Sequence, residues 1–169
     1  GIKADILVCR TEHEISSDIK DKLALFCNVK REAVIQSIDA STIYDVPILM
    51  QEEGLDTVTL HKLALPDNPQ PDRTRWRQFL ERHKNPKHEV TIGLIGKYVE
   101  LQDSYKSILE SFIHAGAVNE VRVNVRSIHS EHINMNKLDQ SMKGLYGILV
   151  APGFGERGIE GKVRAVQYA

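Results

Sequence analysis

The sequence predicts an α/β fold with two parallel-sheet domains joined by a linker. Short apolar strands alternate with amphipathic helices in two separate runs, which is the pattern of parallel sheets covered by helices. Between the runs, three prolines fall within the six residues 66–71, and a packed helix or strand tolerates such a segment poorly. Each run is therefore expected to form a sheet of its own.

The first run predicts two strands and two helices. Ser17 is a plausible N-cap for the first helix, and Gly54 is a suitable stop for the second. Pro47 is expected either in the first turn of the second helix or at a kink. The predicted elements are, in order, strand Asp5–Cys9, helix Ser17–Cys27, strand Glu32–Ile38 and helix Ser41–Glu53.

Residues 66–88 predict a linker that carries one short, charged helix, Thr74–His83. Trp76, Phe79 and Leu80 follow one another at spacings of three and one, so they share one face of that helix. We expect this face to anchor the helix to a neighbouring surface.

The second run starts the α/β alternation afresh. Its last strand is a short apolar segment typical of the centre of a parallel sheet. The predicted elements are, in order, strand Val90–Gly96, helix Asp103–Gly116, strand Glu120–Ile128, helix Asn134–Met142 and strand Gly147–Val150.

A glycine-rich turn follows the last strand and is the most informative segment of the chain. Pro152, Gly153 and Gly155 predict a tight reversal in which backbone amides can face a ligand. Ligands of open α/β sheets bind at the carboxyl ends of the strands, where this turn lies. An ordinary strand-to-helix loop is the alternative, but the charged residues 156–160 favour a functional turn.

Composition limits the classes of function. A net charge of −1 argues against a nucleic-acid-binding protein, which usually has a basic excess. No apolar run approaches the ~20 residues that cross a bilayer, and no signal peptide opens the sequence, so we expect a cytoplasmic protein without a membrane partner. Cys9 and Cys27 are expected to be buried, reduced thiols.

Five segments give the sequence a specific resemblance. In their order along the chain, they are similar to the CTP synthase family over essentially all 169 residues. The segments are Phe26–Val29, Ile43–Pro47, Gly93–Tyr98, Asp103–Ser107 and Gly153–Gly158.

The resemblance implies an ATP-dependent amidoligase joined through a linker to a class I glutaminase, converting UTP to CTP with ammonia from L-glutamine. It also implies Mg²⁺ with ATP, GTP as activator, CTP as inhibitor and a homotetramer. On this basis residues 1–65 are the end of a P-loop-type amidoligase domain, 66–88 the linker and 89–169 the start of the glutaminase domain. Both parallel-sheet domains would then be incomplete.

Two sequence signals of such an enzyme do not occur in these residues. The sequence has no G-x-x-x-x-G-K-[ST] phosphate loop, and no cysteine follows Cys27. The resemblance therefore places the phosphate loop, the Mg²⁺ ligands and the Cys, His and Glu of the glutaminase outside this chain. We expect no catalytic residue within it and no activity from these residues alone.

In the first domain, the resemblance assigns nucleotide-binding residues. Lys22 matches a lysine that meets the UTP triphosphate, where CTP also binds, and Arg10 is a weaker candidate for the same phosphates. Ile38, Asp39 and Ala40 match the segment that holds the ATP adenine. The alternatives are a solvated helix lysine for Lys22 and a helix-capping or turn residue for Asp39.

In the second domain, Gly153 matches the glycine that contacts glutamine beside the oxyanion hole. Pro152 departs from the glycine usual in the family, and it has no N–H to donate. The residues expected at the GTP site and its lid are Lys106, Glu110, Phe154, Arg157 and Glu160. A solvated ion pair between Lys106 and Glu110 on the helix surface is the alternative for those two.

Two other functions remain open at the level of sequence. One is a non-catalytic nucleotide-binding or assembly module. The other is a class I amidotransferase that serves a different synthetase, which the segment Lys22–Val29 disfavours because it matches the CTP synthase half.

Overall fold

A computed structural model describes residues 2–66, 71–133 and 138–169. The chain divides into a first unit, residues 1–73, and a second unit, residues 74–169. Both units alternate helices with parallel strands, which confirms the predicted α/β class. The domain bounds 1–65, 66–88 and 89–169 stay a prediction.

The first unit contains a two-stranded parallel sheet with three helices. Strands β1 and β2 pair in register from Leu7 opposite Val34 to Thr11 opposite Ile38. The sheet is buried along the start of β2, where Val34 and Ile35 are the main core residues. The elements are β1 Leu7–Thr11, α1 Ser17–Cys27, β2 Val34–Ile38, α2 Val46–Glu52 and α3 Leu55–Lys62.

Four predictions for the first unit need correction. Residues 32 and 33 of the predicted strand Glu32–Ile38 belong to a 3₁₀ turn, Arg31–Ala33, and β2 begins at Val34. Strand β1 lies two residues later than predicted, so Arg10 is inside the strand and not past its end. The helix predicted at 41–53 is a 3₁₀ turn, Ile43–Asp45, followed by α2, which has Pro47 in its first turn. The cap of α1 is Ser16, not Ser17.

Helix α3 was not predicted at all. Gly54 has a φ of +80°, which ends α2 in a left-handed turn, and a new helix begins at the next residue. The apolar positions of α3 form only a weak pattern, since Val58 is its one buried residue. Without a strong periodic signal, sequence reasoning took Gly54 as the end of the helical segment.

The second unit has a three-stranded parallel sheet in the order β4-β3-β5, with β3 in the centre. Successive residues of β3 face opposite layers: Ile95 packs with α6 and α7, while Leu94 packs with the start of α5. The elements are α4 Thr74–Lys84, β3 His88–Gly96, α5 Lys106–Asn119, β4 Val121–His129, α6 Leu138–Met142, β5 Gly147–Val150 and α7 Ile159–Tyr168.

Most bounds of the second unit match the predictions within a few residues. Helix α4 packs against α5, where the ring of Phe79 meets His114 edge-on at 5.7 Å and Leu80 is buried. The first part of the helix predicted at 134–142, residues 134–137, lies outside the described residues. Strand β5 begins and ends as predicted.

The expectation of two buried thiols is wrong. Cys9 is half-buried and Cys27 is exposed. Cys27 belongs to an exposed end of α1 where Leu25 and Phe26 are also largely solvent-accessible. Sequence reasoning assumed that an apolar helix face is covered, and the described residues do not cover this one.

Within the described ranges, no helix is both long and apolar enough to cross a membrane.

Candidate functional site

The carboxyl ends of the three strands in the second unit meet at one edge of the sheet. Strand β3 ends at Gly96, β4 at His129 and β5 at Val150. The glycine turn, residues 151–158, follows β5, and a 3₁₀ turn at Ser130–His132 follows β4. Ligands of parallel α/β sheets bind at such an edge, so this is the candidate site of the second unit.

Lys97 is the most unusual side chain at this edge. It directly follows β3 and is only 7% exposed. Its Nζ donates a hydrogen bond to the Phe154 carbonyl of the glycine turn and lies 5.1 Å from the centre of the Tyr98 ring. Sequence reasoning gave Lys97 no role, although a lysine directly after a strand-ending glycine was a usable signal.

The glycine turn contains Gly153, the residue assigned to glutamine. A Cβ on Gly153 would lie 3.2 Å from Lys97 Cε and 3.5 Å from Lys162 Nζ, so both lysines crowd this glycine. Lys162 Nζ donates to the Ala151 carbonyl at 2.8 Å. The amides of Gly153 and Phe154 have no acceptor among the described residues.

The turn beyond Gly153 has the conformation that its glycines predict. Gly155 and Gly158 have φ values of +80° and +76°, which side-chain-bearing residues rarely adopt. The Phe154 side chain is 98% exposed at the tip of the turn. The turn therefore presents backbone amides and one aromatic ring to solvent.

Arg157 is attached to the site by two contacts. Its Nε lies 2.8 Å from Glu131 Oε1, and its guanidinium lies 5.8 Å from the centre of the Tyr98 ring. Glu131 and Tyr98 belong to the segments after β4 and β3, so Arg157 links all three strand ends. Glu160 is exposed in the first turn of α7.

The two remaining residues assigned to GTP lie at the start of α5. Lys106 Nζ is 2.9 Å from Glu110 Oε1, in the i,i+4 arrangement of a helix surface pair. Because α5 follows β3, its first turn lies at the same edge of the sheet as the glycine turn. The solvated-pair alternative and the GTP assignment both fit this placement.

Ser130 brings the turn after β4 into close contact with α7. Its side chain is buried, and its Oγ has no hydrogen-bond partner among the described residues. A Cβ on Gly161 would overlap the Ser130 carbonyl oxygen and lie 2.8 Å from the carbonyl carbon. Gly161 is therefore required for the close approach that places the start of α7 at the site.

In the first unit, the structure brings two predicted nucleotide-binding residues together. Arg10 Nη2 lies 3.1 Å from Asp39 Oδ1, and the Asp39 N–H donates to the Thr11 carbonyl at 3.1 Å. Ile38 ends β2, and Ala40 follows Asp39. Arg10, assigned to UTP, and residues 38–40, assigned to ATP, thus share the carboxyl edge of this sheet.

Lys22 lies elsewhere, on the exposed surface of α1. Its Nζ has no ion-pair or hydrogen-bond partner in the part of the chain that the structure describes. No contact brings Lys22 to Arg10 or Asp39 within the described residues. The structure therefore joins four of the assigned positions, Arg10 and residues 38–40, at one edge and leaves Lys22 apart.

A half-buried ion pair near α1 was not anticipated from the sequence. Glu53 Oε2 lies 2.8 Å from Lys20 Nζ and accepts the Gln36 N–H at 3.0 Å. Burial acts to raise the pKa of Glu53, but these two hydrogen bonds and the Lys20 charge outweigh it, so the pKa lies below its ordinary value. The pair fixes α1, β2 and α2 to one another.

Among the described residues, no three His, Cys, Asp or Glu side chains lie close enough to share a metal ion. The described residues therefore do not fit a Mg²⁺ site built from protein side chains alone.

Comparison with known proteins assigns each unit to a family. Residues 1–65 match the family model for the CTP synthase N-terminus, and residues 100–169 match the model for class-I glutamine amidotransferases. The CTP synthases of Flavobacterium psychrophilum and Christiangramia forsetii are 73% and 74% identical over all 169 residues. The chain belongs to the CTP synthase family.

A CTP synthase from Methanocaldococcus jannaschii is 51% identical, again over all of this chain. The chain covers 32%, 31% and 32% of these three relatives, so it spans about a third of their length. Membership in the CTP synthase family confirms the resemblance seen in the sequence motifs. The match of residues 1–65 also argues against an amidotransferase of a different synthetase.

Proposed function

We propose that this chain supplies parts of two sites to a glutamine-hydrolysing CTP synthase, a ligase that aminates UTP to CTP with ATP. The observation that carries this proposal is the 73% identity to a CTP synthase along the entire chain. In the second site, water converts L-glutamine to glutamate and ammonia. In the first, that ammonia replaces an oxygen of UTP in a reaction driven by ATP.

The glycine turn supports the glutaminase part of this function. A tetrahedral intermediate of amide hydrolysis needs hydrogen-bond donors directed at its oxyanion. Pro152 cannot donate, but the Gly153 and Phe154 amides have no acceptor among the described residues and so can serve. Gly153 then contacts the substrate glutamine, with Phe154, Arg157, Glu160, Lys106 and Glu110 forming the GTP site and its lid.

The carboxyl edge of β1 and β2 supports the nucleotide part. Arg10 is the candidate at this edge for the triphosphate of UTP and of the inhibitor CTP, and residues 38–40 hold the ATP adenine. Lys22, which lies apart on α1, is the second candidate for the triphosphate. The side chains of Arg10 and Asp39 are 84% and 54% exposed, so an incoming phosphate can reach the arginine. From the resemblance we also infer a cytoplasmic homotetramer that uses Mg²⁺ with ATP.

The test uses a full-length protein that carries this segment, supplied with UTP, ATP and Mg²⁺. We expect CTP to form with either ammonium or L-glutamine as nitrogen source, and GTP to accelerate only the glutamine reaction. Binding of UTP and ATP without CTP formation under both conditions would contradict the proposal and favour the non-catalytic nucleotide-binding module.

Arg157→Ala is expected to reduce the GTP acceleration of glutamine-dependent synthesis by about tenfold, the effect of losing one charge-assisted hydrogen bond. Ammonia-dependent synthesis should stay within about twofold of wild type, because the contacts of Arg157 among the described residues, with Glu131 and Tyr98, lie in the second unit. The measurement is CTP formation as a function of GTP concentration, with each nitrogen source in turn.

Arg122→Ala is the matched control. Arg122 forms a similarly exposed pair with Glu89, at 3.4 Å, but at the opposite edge of the same sheet. The Arg122→Ala variant should keep the full response to GTP. An unchanged response in Arg157→Ala would show that Arg157 is not part of the GTP lid.

A further inference from the structure

Lys97 is a buried cation that has no carboxylate partner in the described part of the chain. Lysine is almost never buried to this extent unless its charge is paired, because desolvation of an ammonium costs several kcal/mol. Among the described residues, the contacts of its Nζ are the Phe154 carbonyl and the face of the Tyr98 ring. The buried charge of Lys97 therefore depends on the glycine turn for its hydrogen bond. The same bond allows Lys97 to hold the turn in place.

Two lysines hold the carbonyls on either side of Gly153. Lys162 donates to Ala151 O, and Lys97 donates to Phe154 O. Because each peptide group is planar, these two bonds fix the 151–152 and 154–155 peptide groups, and the Gly153 and Phe154 amides lie in the short segment between them. Pro152 adds a locked φ between the two held carbonyls.

The amides between these fixed points have no competing acceptor. Neither the Gly153 N–H nor the Phe154 N–H donates to another group in the described part of the chain. An ammonium at the base of the turn also favours negative charge nearby, since a buried charge is poorly screened. The position of Lys97 Nζ, 4.0 Å from a Cβ built on Gly153, places that charge beside these donors.

We propose that Lys97 is a positioning residue for glutamine hydrolysis, which holds the Phe154 carbonyl so that the turn keeps its amides directed at the oxyanion. This inference rests on the proposed glutaminase function. When a nucleophile bonds to the amide carbon of L-glutamine, the C=O electron pair moves to oxygen and the turn amides stabilise it. The pair returns as the C–N bond breaks, and the nitrogen gains a proton and leaves as ammonia.

The test compares Lys97→Met with wild type in a full-length enzyme that carries this segment. Methionine preserves an apolar stem beneath Gly153 but removes the donor and the charge. We expect kcat for glutamine hydrolysis to fall about 100-fold, the usual effect of losing an oxyanion-hole donor, with KM for glutamine within about threefold. Ammonia-dependent CTP synthesis should stay within about twofold.

Two further variants separate positioning from a merely structural role. Lys97→Gln keeps a donor without the charge, so its kcat should lie between those of wild type and Lys97→Met. Lys143→Met makes the same change at an exposed lysine of the second unit and should match wild type. If Lys97→Met does not fold, the affinity of Lys97→Gln for glutamate γ-semialdehyde, a mimic of the tetrahedral intermediate, is measured instead of kcat. We expect this affinity to be weaker than that of wild type.

The possible failures are distinguishable. A wild-type enzyme that does not hydrolyse glutamine would overturn the proposed function and this inference with it. A wild-type enzyme that does hydrolyse glutamine, with Lys97→Met within threefold of its kcat, would overturn the inference alone. Equal losses of the glutamine and ammonia reactions in Lys97→Met would likewise assign Lys97 a general structural role.

Discussion

Replacing Gly161 with alanine is expected to lower the free energy of unfolding of the second unit by about 2 to 3 kcal/mol, the usual cost of overpacking a filled site. The direction is informative, because alanine normally stabilises a helix by about 0.5 to 1 kcal/mol relative to glycine. Here the added methyl group would overlap the backbone carbonyl oxygen of Ser130. Backbone cannot rotate away as a flexible side chain can, so α7 must shift.

Urea unfolding followed by the fluorescence of Trp76 measures this effect. Trp76 is the only tryptophan of the 169 residues and lies on α4 in the same unit. Gly147→Ala is the matched control, since its methyl group would meet only Ile92 Cδ1, at an ordinary 3.7 Å. The control should be as stable as wild type or slightly more so. Equal stability of Gly161→Ala and wild type would contradict the close approach of α7 to Ser130.

The sequence was most informative about features that a local pattern of residues determines. Strand β5 and helix α1 have the predicted bounds because apolar residues at strand or helix spacing decide where such elements form. The glycine turn was predicted from its composition, since positive φ values at Gly155 and Gly158 are conformations that glycine favours. Local chemistry was sufficient for these features.

Features that depend on contacts distant in sequence were missed. The burial of Lys97 arises from the meeting of two loops 57 residues apart, and no local pattern marks it. The same holds for Lys20 and Glu53, whose ion pair joins α1 to the end of α2. Sequence reasoning assigned charged residues to solvent by default, which is correct for most of them but fails at such sites.

The exposure of Cys27 shows the opposite error. Apolar residues at the end of α1 were assumed to be covered, yet Leu25 and Phe26 are largely exposed. A helix sequence reports which face is apolar but does not report what packs against it. Burial therefore has to be read from the structure even where the helix itself is predicted correctly.

Lys22→Ala is expected to raise the KM for UTP in ammonia-dependent CTP synthesis by about 10- to 100-fold, the effect of losing a hydrogen bond to a charged phosphate. The substitution should be structurally mild. Lys22 is exposed on α1, and its Nζ has no partner among the described residues, so no group loses a hydrogen bond when it is removed. Glutamine hydrolysis in the absence of UTP should stay at the wild-type rate, because Lys22 belongs to the first unit.

Steady-state kinetics with varied UTP, using a full-length enzyme that carries this segment, provide the measurement. Lys30→Ala is the matched control. Lys30 is also exposed in the first unit, and among the described residues its Nζ makes a loose 3.6 Å ion pair with Glu32. It should leave the UTP KM unchanged. Because CTP is expected to bind in an overlapping place, Lys22→Ala should weaken CTP inhibition in parallel with UTP binding. A variant with normal KM for UTP and normal CTP inhibition would identify Lys22 as a solvated helix lysine and leave Arg10 as the phosphate-binding candidate of this chain.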